Sequence, residues 1–133
     1  MIDRAHGYFD KEKETRSKEK REAYLKERLS ETLHQGYQHS KAIHSMFEKA
    51  GFMPDAMKEL KDLEKLPITK KADLVNAQRK NPPFGGFEGI PITEMRRVFI
   101  SPGPIYEPGE ADYDELGWAQ GMYAGGFRPG DIA

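Results

Sequence analysis

The sequence predicts a mostly α-helical body over residues 1–80, followed over 81–133 by an irregular loop, one strand, a Pro-rich turn and a last helix. Apolar residues recur at helical spacing in two early stretches, Leu25, Leu29, Leu33 and then Ile43, Met46, Phe47, Ala50. Pro and Gly then rise sharply between Asn81 and Pro91, and Arg97-Val98-Phe99-Ile100 is the best strand candidate.

Lys, Glu and Arg dominate Asp10 to Arg28, as on a solvated helix face, and with the leucine stripe they predict a helix from about Ser17 to Gln35. Gly36 is expected to loosen or end it. Ser40 is placed as N-cap of a second helix and Gly51 as its left-handed terminator. The two helices are expected to form a hairpin, with Leu25, Leu29, Leu33, Ile43, Met46 and Phe47 facing one another across it. Met57 to Leu66 reads as a short helix ended by Pro67, and Thr69 as the N-cap of a helix through Leu74. Two prolines so close exclude Ser101-Pro102-Gly103-Pro104 from a paired sheet. A final helix is expected from about Ala111 to Gly125, and Phe127 to Asp131 reads as a turn leading into a strand at Ile132.

At 133 residues the chain suits one ordinary domain with a modest core. With 37% hydrophobic and 32% charged residues it is polar for a self-contained body, while 11% aromatic residues argue against disorder. A formal net charge of -1 provides no attraction for nucleic acid or an anionic membrane, so neither is expected as a partner. The absence of cysteine removes disulfides, thiolate metal sites and a cysteine nucleophile, and with no long apolar run the chain reads as cytoplasmic. His34, His39 and His44 are spaced by five, which does not set two ligands on one helical face, and no metal site is expected. Trp118, Tyr113 and Tyr123 read as packing residues, and Gly85-Gly86 and Gly125-Gly126 as turns.

Several phrases in fixed order carry a resemblance: Tyr8-Phe9-Asp10, Phe47-Glu-Lys-Ala-Gly51, Leu66-Pro-Ile-Thr-Lys-Lys-Ala-Asp-Leu74, the Asn-Pro-Pro-Phe-Gly loop, Arg97-Val98 and Ala124-Gly-Gly-Phe-Arg-Pro-Gly-Asp131. In these the chain resembles the N-terminal part of phenylacetate-CoA ligases, within the adenylate-forming superfamily. The resemblance implies an α/β fold for the whole enzyme, of which this chain would hold a helical subdomain (1–80) and the beginning of the large adenylation domain (81–133). It implies AMP-forming ligation of an aryl or acyl carboxylic acid to coenzyme A, with ATP, Mg²⁺ and CoA as cofactors. The remainder of the ligase, or a second copy through the helical hairpin, are the protein partners considered. The alternative is a non-catalytic interaction module derived from such a ligase.

The family carries a phosphate-binding loop of the pattern Ser-Ser-Gly-Thr-Thr-Gly-Lys-Pro after its first strand. The corresponding stretch here is Ser101-Pro-Gly-Pro-Ile-Tyr-Glu-Pro108, matching only at Ser101, Gly103 and Pro108. Ser101 and Gly103 are the two cofactor-binding residues the resemblance carries over, and no catalytic residue is assigned. The replacements oppose phosphate binding, because Pro102 and Pro104 lack N–H donors, Tyr106 adds bulk and Glu107 adds negative charge. Two readings stay open at this point, a remodelled nucleotide loop and a plain turn.

Overall fold

A computed structural model describes residues 3–109 and 117–132. It divides into two compact units, Met1–Glu22 with Asp112–Ala133, and Ala23–Ala111. The boundary anticipated at 80/81 therefore falls inside the second unit.

In the first unit, α1 (Lys11–Glu14) is a single turn capped by the Asp10 carboxylate, which accepts from the Lys13 N–H. Helix α5 (Trp118–Ala124) begins after Gly117, which takes a left-handed φ of 71°; the earlier part of the helix expected from Ala111 to Gly125, with Tyr113 and Leu116, lies outside the described residues. The turn expected at Phe127 to Asp131 is present, with the Asp131 N–H donating to the Arg128 carbonyl at 3.0 Å. Ile132, expected to open a strand, belongs to none and is exposed. Arg4 forks onto the Asp131 carboxylate, and the Arg128 guanidinium lies 3.7 Å over the Tyr123 ring while donating to the carbonyl of Asp3. Tyr123 also meets Phe9, but Trp118, expected to pack, is 71% exposed.

Helix α2 (Lys18–His39) runs through Gly36 without a break, contrary to the expected end there. Gly36 instead serves the approach of α3 (Lys41–Ala50), since a Cβ on it would sit 3.1 Å from the Ile43 side chain. Only Ser40 separates the helices, and its buried side chain accepts from the Ile43 N–H as predicted and donates to the Gly86 carbonyl. Tyr37 stacks on His44 across this corner at 4.2 Å. Gly51, at a φ of 62°, ends α3 as expected, its N–H reaching back to Glu48.

The core joins Leu33, Phe47, Phe52 and Met57, with Leu29, Tyr37, Ile43 and Leu66 packed around them. Met46 is half-buried beside Thr69, whereas Leu25, expected in the stripe, is 45% exposed. A one-residue corner explains this. It lets α3 cover the last turns of α2 and leaves the earlier turns beyond its reach.

The segment Met57 to Leu66, expected as a short helix, holds a 3₁₀ helix at Leu60–Lys65, and a first 3₁₀ turn at Pro54–Ala56 precedes it. Asp62 organises the second: its buried carboxylate accepts from the N–H groups of Lys58 and Glu59 and pairs with the Lys65 ammonium. The Lys65 contact, then the two N–H donors, hold its carboxyl well below the usual carboxylate range. A depressed carboxylate pKa contributes stability above the unfolded value, near pH 4, and loses it as pH falls toward the folded value. Urea midpoints measured from about pH 5 down to about pH 2.5 should fall less steeply for Asp62→Asn than for the unaltered chain. Identical slopes would show that Asp62 contributes nothing to acid sensitivity.

Helix α4 (Lys71–Lys80) is flanked by Lys70 at its N-cap, not Thr69, whose hydroxyl instead meets the Met46 sulfur. Strands β1 (Arg97–Ser101) and β2 (Ile105–Gly109) form a two-stranded antiparallel sheet, with Phe99 opposite Glu107 and Ile100 opposite Tyr106. The stretch expected as a loop between the strand and the last helix thus contains a second strand, Ile105–Gly109. Among the described residues no helix is long and apolar enough to cross a membrane.

Candidate functional site

The tip of the β1–β2 hairpin is where the two carried-over residues fall. Pro102, Gly103 and Pro104 make the turn, and Gly103 takes a φ of 108° that favours glycine. Ser101 and Ile105 face each other at the mouth of the turn. Ile105 is buried and anchors the hairpin, while the Ser101 Oγ is enclosed without a hydrogen-bond partner among the described residues. Pro108 is tolerated inside β2 because it stands opposite Val98, where its nitrogen points away from β1 and no ladder bond is lost.

Two residues of α4 complete the region, and sequence reasoning missed both. The Lys71 ammonium donates to the Pro102 carbonyl at 3.2 Å, and its Cε lies 3.8 Å from where a Cβ on Gly103 would stand. Lys71 thus brings positive charge to the turn. The buried Gln78 amide accepts from the Tyr106 N–H at 2.9 Å and donates to the Tyr106 carbonyl at 2.8 Å, replacing a third strand along that part of the β2 edge. Neither contact follows from a local pattern, since they cross 31 and 28 residues of sequence.

The chemistry available here is limited. Pro102 and Pro104 offer no N–H, and the Ile105 N–H is engaged with Ser101 if the pairs alternate outward from Tyr106. With the Ser101 hydroxyl enclosed, that leaves the Gly103 N–H and the Lys71 ammonium, which already donates to the Pro102 carbonyl, a set short of what a triphosphate requires. The residues present do not fit a polyphosphate cradle. Glu107 stands within β2, exposed and opposite Phe99, displaced from the tip where the resemblance put it.

Nor do the other reactive side chains converge. His34 bonds to the Ser30 carbonyl and to Asp55, and the first of these, then the second, raises its pKa. His44 is held at the Tyr37 carbonyl, and among the described residues no group of three or more His, Cys, Asp or Glu is arranged to hold a metal. An open concavity of about 540 Å³ in the first unit is lined by Arg4, Phe127 and Asp131, whose two charged groups already bond each other.

No family model matches the chain. It is 34% identical over 89% of its length to the phenylacetate-coenzyme A ligase of Escherichia coli, and 32% identical over 92% to that of Thermus thermophilus. Among solved structures, a 2-hydroxyisobutyryl-CoA ligase in the postadenylation state with 2-HIB-AMP superposes with a TM-score of 0.81 at 27% identity, covering 98% of the chain. This chain is phenylacetate-CoA ligase-like. It spans about 28% of the length of the curated relatives it matches and 30% of the solved ligase. The same ligase has also been solved with 2-HIB-AMP and CoA in the thioesterification state, at a TM-score of 0.79.

Proposed function

We propose that this chain is the N-terminal part of an ATP-dependent, AMP-forming acyl- or aryl-CoA ligase, and that it does not complete the reaction alone. The observation that carries the reading is the agreement of sequence and fold: near nine-tenths of the chain matches phenylacetate-CoA ligases, and nearly all of it superposes on a ligase holding an acyl-adenylate. In such a reaction the substrate carboxylate attacks the α-phosphorus of ATP and pyrophosphate leaves. The CoA thiol then attacks the acyl carbon, and AMP leaves.

The hairpin is this chain's contribution to the nucleotide side, through the Gly103 N–H and the Lys71 ammonium at its turn, with the enclosed Ser101 beside them. ATP's remaining phosphates, Mg²⁺, CoA and the acid are held by other parts of the enzyme, in the cytoplasm where ATP and CoA are supplied. The two prolines, which lack N–H donors, keep the turn a weak phosphate ligand on its own.

The test is a chimera in which this chain replaces the matching 125-residue segment of the E. coli ligase. It should form phenylacetyl-CoA from phenylacetate, ATP and CoA, whereas the isolated chain should show no ATP–pyrophosphate exchange. A soluble chimera that forms no thioester would overturn the reading of a ligase part. Exchange by the pure chain would overturn the claim that it is incomplete.

A further inference from the structure

The β1–β2 sheet is finished on one side and open on the other. Tyr106 directs its N–H and C=O to Gln78, away from β1, so Ile100–Tyr106 is a pair that exchanges no backbone bonds with its partner. The alternation gives Val98–Pro108 the same character, and a proline at that position agrees with it. The N–H and C=O groups of Val98 and Ile100 therefore point to the free edge of β1, and among the described residues nothing bonds them.

The side chains along this edge are also uncovered. Val98 is 49% exposed, Ile100 65% and Phe99, on the opposite face, 54%. From Val98 to Ile100 the strand has no charge, no proline and no bulge, which are the devices that keep an edge from pairing. A two-stranded sheet with apolar residues exposed on both faces is marginal in water. Adding a strand would satisfy four backbone groups and cover Val98 and Ile100 together.

We infer that the free edge of β1 is a strand-acceptor surface, and that its occupant is a strand from the remaining polypeptide of the ligase. The identity of the occupant rests on the ligase reading above. It is favoured over a second copy because the chain spans only about 28% of its relatives' length, so most of the polypeptide that packs with this segment in a ligase lies outside it. The other edge is already occupied at Tyr106 by an amide from within the chain, which leaves β1 as the side on which the sheet grows.

Amide hydrogen exchange resolved to single residues tests this on the isolated 133-residue chain and on the E. coli chimera. Val98 and Ile100 should exchange as open amides in the isolated chain and slow by at least about tenfold in the chimera. Ile100→Lys should reverse the protection at both amides while leaving the Phe99 amide, which faces β2, protected. If the chimera does not fold, the chain co-expressed with the ligase lacking its matching segment supplies the same measurement, and failure to associate overturns the inference.

Thioester formation without protection at Val98 and Ile100 overturns the strand-acceptor surface and leaves the ligase reading standing. Protection in a chimera that forms no thioester upholds the surface and removes the function. Protection in the isolated chain that rises with protein concentration makes the occupant a second copy, and protection independent of concentration makes it another part of this chain. Either result overturns the proposed occupant.

Discussion

Replacing Phe47 by Ala should destabilise the helical unit by about 3–5 kcal/mol, a large share of the 5–15 kcal/mol typical of a small domain. Phe47 is 2% exposed and joins both sides of the core, meeting Phe52 edge-on at 5.7 Å and Tyr37 at 5.8 Å. Ser40 fixes the entry of α3 and Gly51 its exit, so neighbouring groups have little freedom to collapse into the cavity. Urea unfolding followed by far-UV circular dichroism gives the value. Leu25→Ala is the control and should change stability by no more than about 0.5 kcal/mol, because that leucine reaches no core partner. Similar losses at the two positions would mean that α2 is buried along its length and the corner geometry is wrong.

Replacing Gln78 by Leu should cost about 1–3 kcal/mol, since both its bonds disappear and the Tyr106 N–H and C=O are left to whatever water reaches them. Half-exposure of Tyr106 keeps the cost below two full desolvation penalties. Gln78→Glu is the sharper experiment. It keeps an acceptor for the N–H but sets a carboxylate oxygen against the carbonyl, which favours the protonated acid and raises its folded pKa above the ordinary value. A raised acid pKa makes the variant's deficit largest above that pKa and smaller as pH falls through it. Comparing urea midpoints with the unaltered chain at about pH 8 and about pH 4.5 should therefore show a deficit that shrinks at the lower pH. A deficit independent of pH would mean that Gln78 does not donate to Tyr106.

The hairpin shows why part of the site was legible and part was not. Arg97-Val98-Phe99-Ile100 reads as a strand from its β-branched and aromatic residues, and Pro-Gly after Ser101 as a turn. Its return strand was missed because Pro102 and Pro104 were read as ending the sheet, yet they occupy only the turn between Ser101 and Ile105, and Pro108 fits within β2 because a proline forbids only the positions whose N–H faces the partner. Pro102-Gly-Pro104 between two β-rich runs was the available hairpin signal. Lys71 and Gln78 had none, since each acts on a backbone group far away in sequence.

Local chemistry did determine the Ser40 and Gly51 caps, the existence of α2 and α3, and the placement of Leu33 and Phe47 inside, because a cap or a helical stripe is written in residues a few positions apart. The phrases that carry the ligase resemblance were equally readable, and the match to curated ligases agrees with them. Tertiary structure alone decided that Leu25 lies beyond the reach of α3, that α2 passes through Gly36, and that the turn at Gly103 receives a lysine from α4. Each depends on the angle at which two elements meet. That angle is set by the packing of side chains distant in sequence, and no short window of residues records it.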